Sequence, residues 1–265
     1  MDDHRKSNSL EHPVAGTLRA ASAARELAAV SVRGTPNDLD PAVLSDLHNA
    51  VLGRDPETAK QVVQNLVTSG VPAVDLADFY IPEVARKLGD QWCIDELSFA
   101  SVTIGSARLQ SMLRSLGPDW SGETTGQTAT ASILLVVPQE VYHTLGALVL
   151  GGQLRRKGLS VKLVLGGKPQ DVANHVECAH YDCVFLSSSR GETLESLRRL
   201  VEAVKTANQT PPPIVIGGTI LEVEPIETIT ALTGADYATS IPEEALRLCG
   251  VCQGTQDDAR SKKRA

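Results

Sequence analysis

Among 265 residues, the side chain whose neighbours most favour chemistry is His143. It sits in the stretch 133–146, ILLVVPQEVYHTLG, where an apolar run stops at a short polar loop carrying Thr144 beside the histidine and Gly146 three residues on. An imidazole can coordinate a metal through one ring nitrogen. Two clusters of small residues recur further along, Ser187, Ser188 and Ser189, then Gly217 and Gly218. Small residues keep the backbone open to a guest, so a histidine with these companions describes a slot for a long, flat, metal-bearing cofactor. Taken singly, a loop histidine is ordinarily a surface or capped residue, and a glycine pair an ordinary turn. Cys249 and Cys252 form one CxxC. With no second such motif nearby, they read as two tail thiols rather than a zinc or redox site.

These residues need a scaffold, and the pattern supplies one. The five apolar residues 133–137 are too few for a helix and read as a strand buried on both faces. Further strands are expected at 161–165, 183–186, 214–216 and 236–238, with helices at 147–156, 169–178, 193–207, 226–232 and 243–249. This alternation specifies a doubly wound parallel five-stranded sheet, a Rossmann-like α/β domain over 131–250. In such a sheet the loops after the first, third and fourth strands can converge on one crevice, and these loops hold His143, the serines and the glycines.

Upstream, Val43, Leu44, Leu47 and Val51 recur at helical spacing, as do Ala59, Val62, Val63, Leu66 and Val67 before Gly70. Helices at 74–88, with an internal Pro82, and at 99–116, with Ser98 as cap, complete an all-α four-helix bundle over 41–116. Residues 117–130 (GPDWSGETTGQTAT) read as a linker, 1–40 as a flexible N-terminal arm with a short amphipathic piece at 18–29, and 251–265 as a basic tail. No apolar run approaches the roughly 18 residues of a membrane span, and MDDHRKSNSLEHP has no signal-peptide core, so a cytoplasmic location is expected. A formal charge of −7 argues against a broad phosphate-binding surface. Five cysteines, an odd number, fit reduced thiols better than a disulfide framework.

The segments HTLG, SSS and IGGT, in this order and at these strand ends, resemble the cobalamin-binding domain, with its pattern DxHxxG, SxL, GG. The helical module before it is similar to the one preceding this domain in cobalamin-dependent methionine synthases and cobalamin photoreceptors. The resemblance implies cobalamin as cofactor, with His143 as lower axial cobalt ligand. It implies that Thr144 and Gly146 lie where the cofactor's nucleotide tail enters. Ser187, Ser189, Gly217 and Gly218 would line the tail's channel, Tyr237 and Thr239 would close it, and Trp92 in LGDQW would lie over the upper face.

The departures from the family pattern are equally informative. Val141 replaces the Asp two residues before the histidine and cannot accept its N–H, so either Glu140 substitutes or the imidazole has no carboxylate partner. The family's upper-face Glu-His pair falls on Val102 and Thr103. In lacking both features the chain resembles the AerR/PpaA group of photosynthesis-gene regulators of purple bacteria. This implies a non-enzymatic light- or redox-responsive antirepressor that binds a transcriptional repressor. The acidic body suggests that any effect on DNA is exerted through that repressor, with residues 1–40 or the SKKRA tail as candidate segments for contact with it. The alternatives are a corrinoid carrier for methyl transfer, a haem-binding sensor on the same scaffold, or a scaffold that merely binds protein.

Overall fold

The computed structural model describes residues 39–121, 129–139 and 144–251. Residues 1–38 of the arm, the tail from Cys252 onward, and Glu140, Val141 and His143 lie outside the described residues. The bundle opens with α1 (Pro41–Leu52), where the Asp40 carboxylate accepts from the Ala42 N–H at 2.8 Å, and α2 (Pro56–Thr68), capped by Asp55. Each such cap contributes about 1 kcal/mol. A single turn at Ala73–Asp75 leads through a π-helical turn, Leu76–Tyr80, into α3 (Ile81–Cys93).

The helix expected at 74–88 is therefore interrupted, and it ends later, so that it carries Trp92. Pro82 accounts for the break: it has no N–H to donate and its ring crowds the carbonyl four residues back, which a wider π turn relieves. The fourth bundle helix, α4 (Phe99–Ser115), begins at the Ser98 cap, whose hydroxyl accepts from the Ser101 N–H at 3.1 Å.

The stretch expected as a linker contains structure. Gly117, at φ +77°, ends α4, and Pro118–Ser121 forms one helical turn, α5, which places Trp120 in the core at 6% exposure.

The sheet comprises β1 (Ser132–Pro138), β2 (Ser160–Gly167), β3 (Cys183–Ser188), β4 (Ile214–Gly218) and β5 (Tyr237–Ala238). All pairings are parallel and the order is β2-β1-β3-β4-β5. Helices α6 (Leu145–Arg156), α7 (Pro169–Cys178), α8 (Leu194–Ala207), α9 (Ile226–Thr233) and α10 (Pro242–Leu248) alternate with the strands. Asp182 and Asp236 each precede a strand and accept from the first N–H of another, Ser132 at 2.7 Å and Ile214 at 2.8 Å, which sets the amino-terminal edge in register.

One face of the sheet, with Leu134, Val136, Val184, Leu186, Ile214 and Ile216, packs against α7, α8 and α9. The other, with Ile133, Leu135, Val137, Phe185 and Val215, packs against α6 and α10. Helix α6 serves two cores at once: Ala147 and Leu154 face the sheet, whereas Leu145 and Val149 join the bundle core with Trp120. Gly152 continues the bundle-facing stripe, and a methyl there would lie 2.8 Å from the Trp120 ring. Its missing side chain is what lets the indole lie on the helix.

Candidate functional site

The strand order reverses direction at β1, the position where open α/β sheets bind ligands beyond their carboxyl ends. An open cleft with about 380 Å³ of empty volume lies there, on the sheet face shared by α6 and α10. Leu135, Phe185 and Val215 form its apolar floor, Leu150 of α6 and Pro242 and Ala245 of α10 its walls, and Ser187, Gly217, Gly218 and Thr239 its polar edge.

The structure thus brings together four of the residues singled out in the sequence. Ser187 and Ser188 are the end of β3 rather than loop, so they point to opposite faces. Ser187 borders the cleft. Ser188 is buried on the far side, and its hydroxyl has no hydrogen-bond partner among the described residues. Gly217 and Gly218 likewise end β4, for different reasons. A methyl on Gly217 would lie 3.0 Å from the Thr239 carbonyl, so its bareness lets the β5–α10 connection close over the strand. Gly218 has φ +99°, and a methyl there would lie 2.2 Å from the Ser188 carbonyl oxygen. Its identity is thus demanded by the backbone, independently of any ligand.

Thr239 is held in place. Its hydroxyl donates to the Glu244 carboxylate at 2.5 Å and accepts from the Ile241 N–H at 3.2 Å. The remaining candidates lie apart from the cleft lining. Ser189 has left the strand, and its carbonyl accepts from the Glu192 N–H at 3.1 Å. Tyr237 is part of β5 and packs against the core shared with α10. Thr144 occupies the cap position of α6 without a side-chain capping bond, and Gly146 lies in the first turn with open space where a side chain would be.

Trp92 is in the last turn of α3, half-buried against the bundle core. The α3–α4 turn beside it presents Ile94, 65% exposed, and Phe99, 53% exposed. Val102 is buried, and the Thr103 hydroxyl donates to its own helix at the Phe99 carbonyl, 2.9 Å away. Neither offers an acid or base.

The sequence did not single out Leu150, Phe185, Val215, Pro242 or Ala245 for the site. Phe185 and Val215 carry only the signal of an ordinary buried strand, and α10 is too short to declare which face it buries.

Among the described residues no group of three or more His, Cys, Asp or Glu side chains could hold a metal ion. The apolar floor and the polar edge suit an elongated guest with an apolar body and polar groups along one side. Fold and site together define a binding module for such a guest, and the family model for the B12 binding domain matches residues 131–249.

A protein of Rhodobacter capsulatus, described as an uncharacterized 20.5 kDa protein in the bchF-crtJ intergenic region, is 34% identical over 170 residues, spanning 64% of this chain and 88% of that protein. The chain belongs to the B12-binding domain family, and its cofactor is cobalamin. Among solved structures, the monomethylamine corrinoid protein of Methanosarcina barkeri aligns with a TM-score of 0.60 and 13% identity, over 80% of this chain and 99% of that one. A cobalamin-binding protein from Desulfitobacterium hafniense matches 78% of this chain and 97% of its own at 19% identity, with a TM-score of 0.38. No helix among the described residues is long and apolar enough to cross a membrane.

Proposed function

We propose that the chain is a cobalamin-dependent, light- or redox-responsive regulator that acts without catalysis, by contact with a transcriptional repressor of photosynthesis genes. The observation that carries this reading is the helical module. At the two positions where the family pattern has its upper-face Glu-His pair, Val102 is turned into the core and the Thr103 hydroxyl is spent on its own helix. A module that keeps the lower cleft but lacks acid-base groups above it suits sensing better than group transfer. The Rhodobacter relative, whose description places it beside photosynthesis genes, supports the same direction.

In this reading His143, two residues before α6 in the sequence, would hold the cobalt as its lower ligand. Gly146 leaves the entrance open, and Ser187, Gly217 and Thr239 border the tail. Bound cobalamin would supply a light-labile bond on the upper side of its metal. The chain's own part is to seat the tail against Phe185 and Val215, exclude water there, and carry any displacement along α6 to the bundle. The repressor contact would lie on the arm or the SKKRA tail, since the acidic chain is a poor direct ligand for DNA.

The visible spectrum of the protein after incubation with hydroxocobalamin and gel filtration tests the reading. A retained cobalamin spectrum, altered in His143→Ala, is expected; no retained spectrum, or one indifferent to that substitution, overturns the assignment of His143. A corrinoid carrier role draws on the Methanosarcina likeness, which at 13% identity is one of fold. Methyl turnover with a methyltransferase would favour it.

A further inference from the structure

The cleft keeps its polar and apolar groups apart. Leu135, Phe185 and Val215, which form the floor, are 0%, 5% and 2% exposed, so they belong to the packed core and cannot turn aside for a polar guest. The walls, Leu150 of α6 and Pro242 and Ala245 of α10, present carbon as well. Side-chain hydroxyls lie only along the edge, on Ser187, Thr239 and Ser240. One of these is already engaged. The Thr239 hydroxyl gives its only proton to the Glu244 carboxylate at 2.5 Å and accepts from the Ile241 N–H at 3.2 Å, which leaves it a lone pair but no proton for a guest. No charged side chain lines the cleft among the described residues.

We propose that the cleft sorts corrinoids by the base that ends their nucleotide tail, taking a benzimidazole and rejecting a purine, with Leu150, Phe185 and Val215 as the residues that decide. This proposal rests on the seating of the tail in the cleft proposed above and adds which tails the lining accepts. Cobalamin ends in 5,6-dimethylbenzimidazole, whose six-membered ring presents only carbon and two methyl groups. A corrinoid that ends in adenine instead presents two ring nitrogens and an amino group at the same place. Methyl groups laid against Leu150, Phe185 and Val215 gain burial. The purine's acceptors and its amino group would lose water there and find no partner on the floor or the walls. A single polar group stranded in this way weakens binding about tenfold to a hundredfold.

Equilibrium binding of three corrinoids to the full chain tests this: hydroxocobalamin, its adeninyl counterpart, and cobinamide, which lacks the nucleotide. Hydroxocobalamin is expected to bind at least about tenfold more tightly than the adeninyl form. In Leu150→Gln, at a partly exposed wall position where an amide can pair with the purine, that ratio should fall to about threefold or less. Val215→Thr, which sets a hydroxyl of similar shape on the floor, should move the ratio the same way. Any preference intrinsic to the two corrinoids is common to the variants and the unaltered chain, so the change in ratio reports the lining. A ratio near one in the unaltered chain, or a ratio that neither substitution moves, overturns the selectivity and leaves the tail in the cleft. Cobinamide bound as tightly as hydroxocobalamin by the unaltered chain overturns the seating of the tail and the selectivity with it.

Discussion

Arg156, at the end of α6, places its guanidinium 2.5 Å from the Asp78 carboxylate on the π-helical turn of the bundle, closing the seam between the two halves of the molecule. The same guanidinium donates to the Trp120 carbonyl. Both side chains are largely shielded, so removing one partner strands the other's charge. Arg156→Met is expected to cost about 3 kcal/mol in urea unfolding at neutral pH.

The pair also sets a pH dependence. Burial raises the Asp78 carboxyl above its ordinary 3.8, with Arg156 opposing the shift only in part. The folded chain therefore keeps this proton at pH values where the unfolded chain has released it, so this group's contribution to stability falls as pH rises from 3.8 through the raised value and is level above it. The slope should vanish in Asp78→Asn and steepen in Arg156→Met, where burial acts unopposed; unfolding curves between about pH 4 and pH 7 measure it.

Trp120 and Gly152 form the apolar half of the seam. Trp120→Ala should destabilise the fold by about 3–5 kcal/mol through the cavity it leaves. Gly152→Ala should cost about 1–3 kcal/mol, because the new methyl meets both the indole ring and, at 3.2 Å, the Trp120 backbone oxygen. A red-shifted tryptophan emission in Gly152→Ala would show the indole expelled.

The glycines separate structural from functional need. Gly218→Ala should cost at least about 2 kcal/mol, combining a positive φ with a backbone collision at Ser188. Gly146→Ala meets nothing and sits in a helix, so thermal unfolding should show no loss, and up to about 1 kcal/mol of gain.

Filling the cleft should weaken binding while sparing the fold. Ser187 is only partly buried and borders the open space, so Ser187→Leu should keep its circular dichroism and melting temperature yet bind hydroxocobalamin at least about tenfold more weakly, a difference of about 1.4 kcal/mol. Unchanged affinity would remove Ser187 from the site.

The alternating pattern of residues 131–250 made the sheet legible, since its apolar runs are too short for helices and its helices end at Gly158 and Gly234, both at positive φ. The candidate site was legible in its polar edge only. Ser187 and Ser188 look equivalent in sequence, and only strand alternation sends one to the cleft and the other behind it. Gly218 looks like a channel residue until Ser188 is seen against it. Trp120 sits in a stretch of linker-like composition, and its burial depends on a side chain that Gly152 lacks, a tertiary fact with no local signature. Pro82 announced a disturbance in its helix but not that a π turn would absorb it.

The chain's two tryptophans stand on different sides of a kinetic question. Trp92 belongs to the bundle, whose contacts are mostly local helix pairings, whereas Trp120 is enclosed only when α6 docks on that bundle. Local contacts form fast and distant ones slowly. In stopped-flow refolding, fluorescence from the Trp120→Phe variant, reporting through Trp92, should therefore change before that from Trp92→Phe, so that the chain carries its own clock for the order in which its two halves assemble.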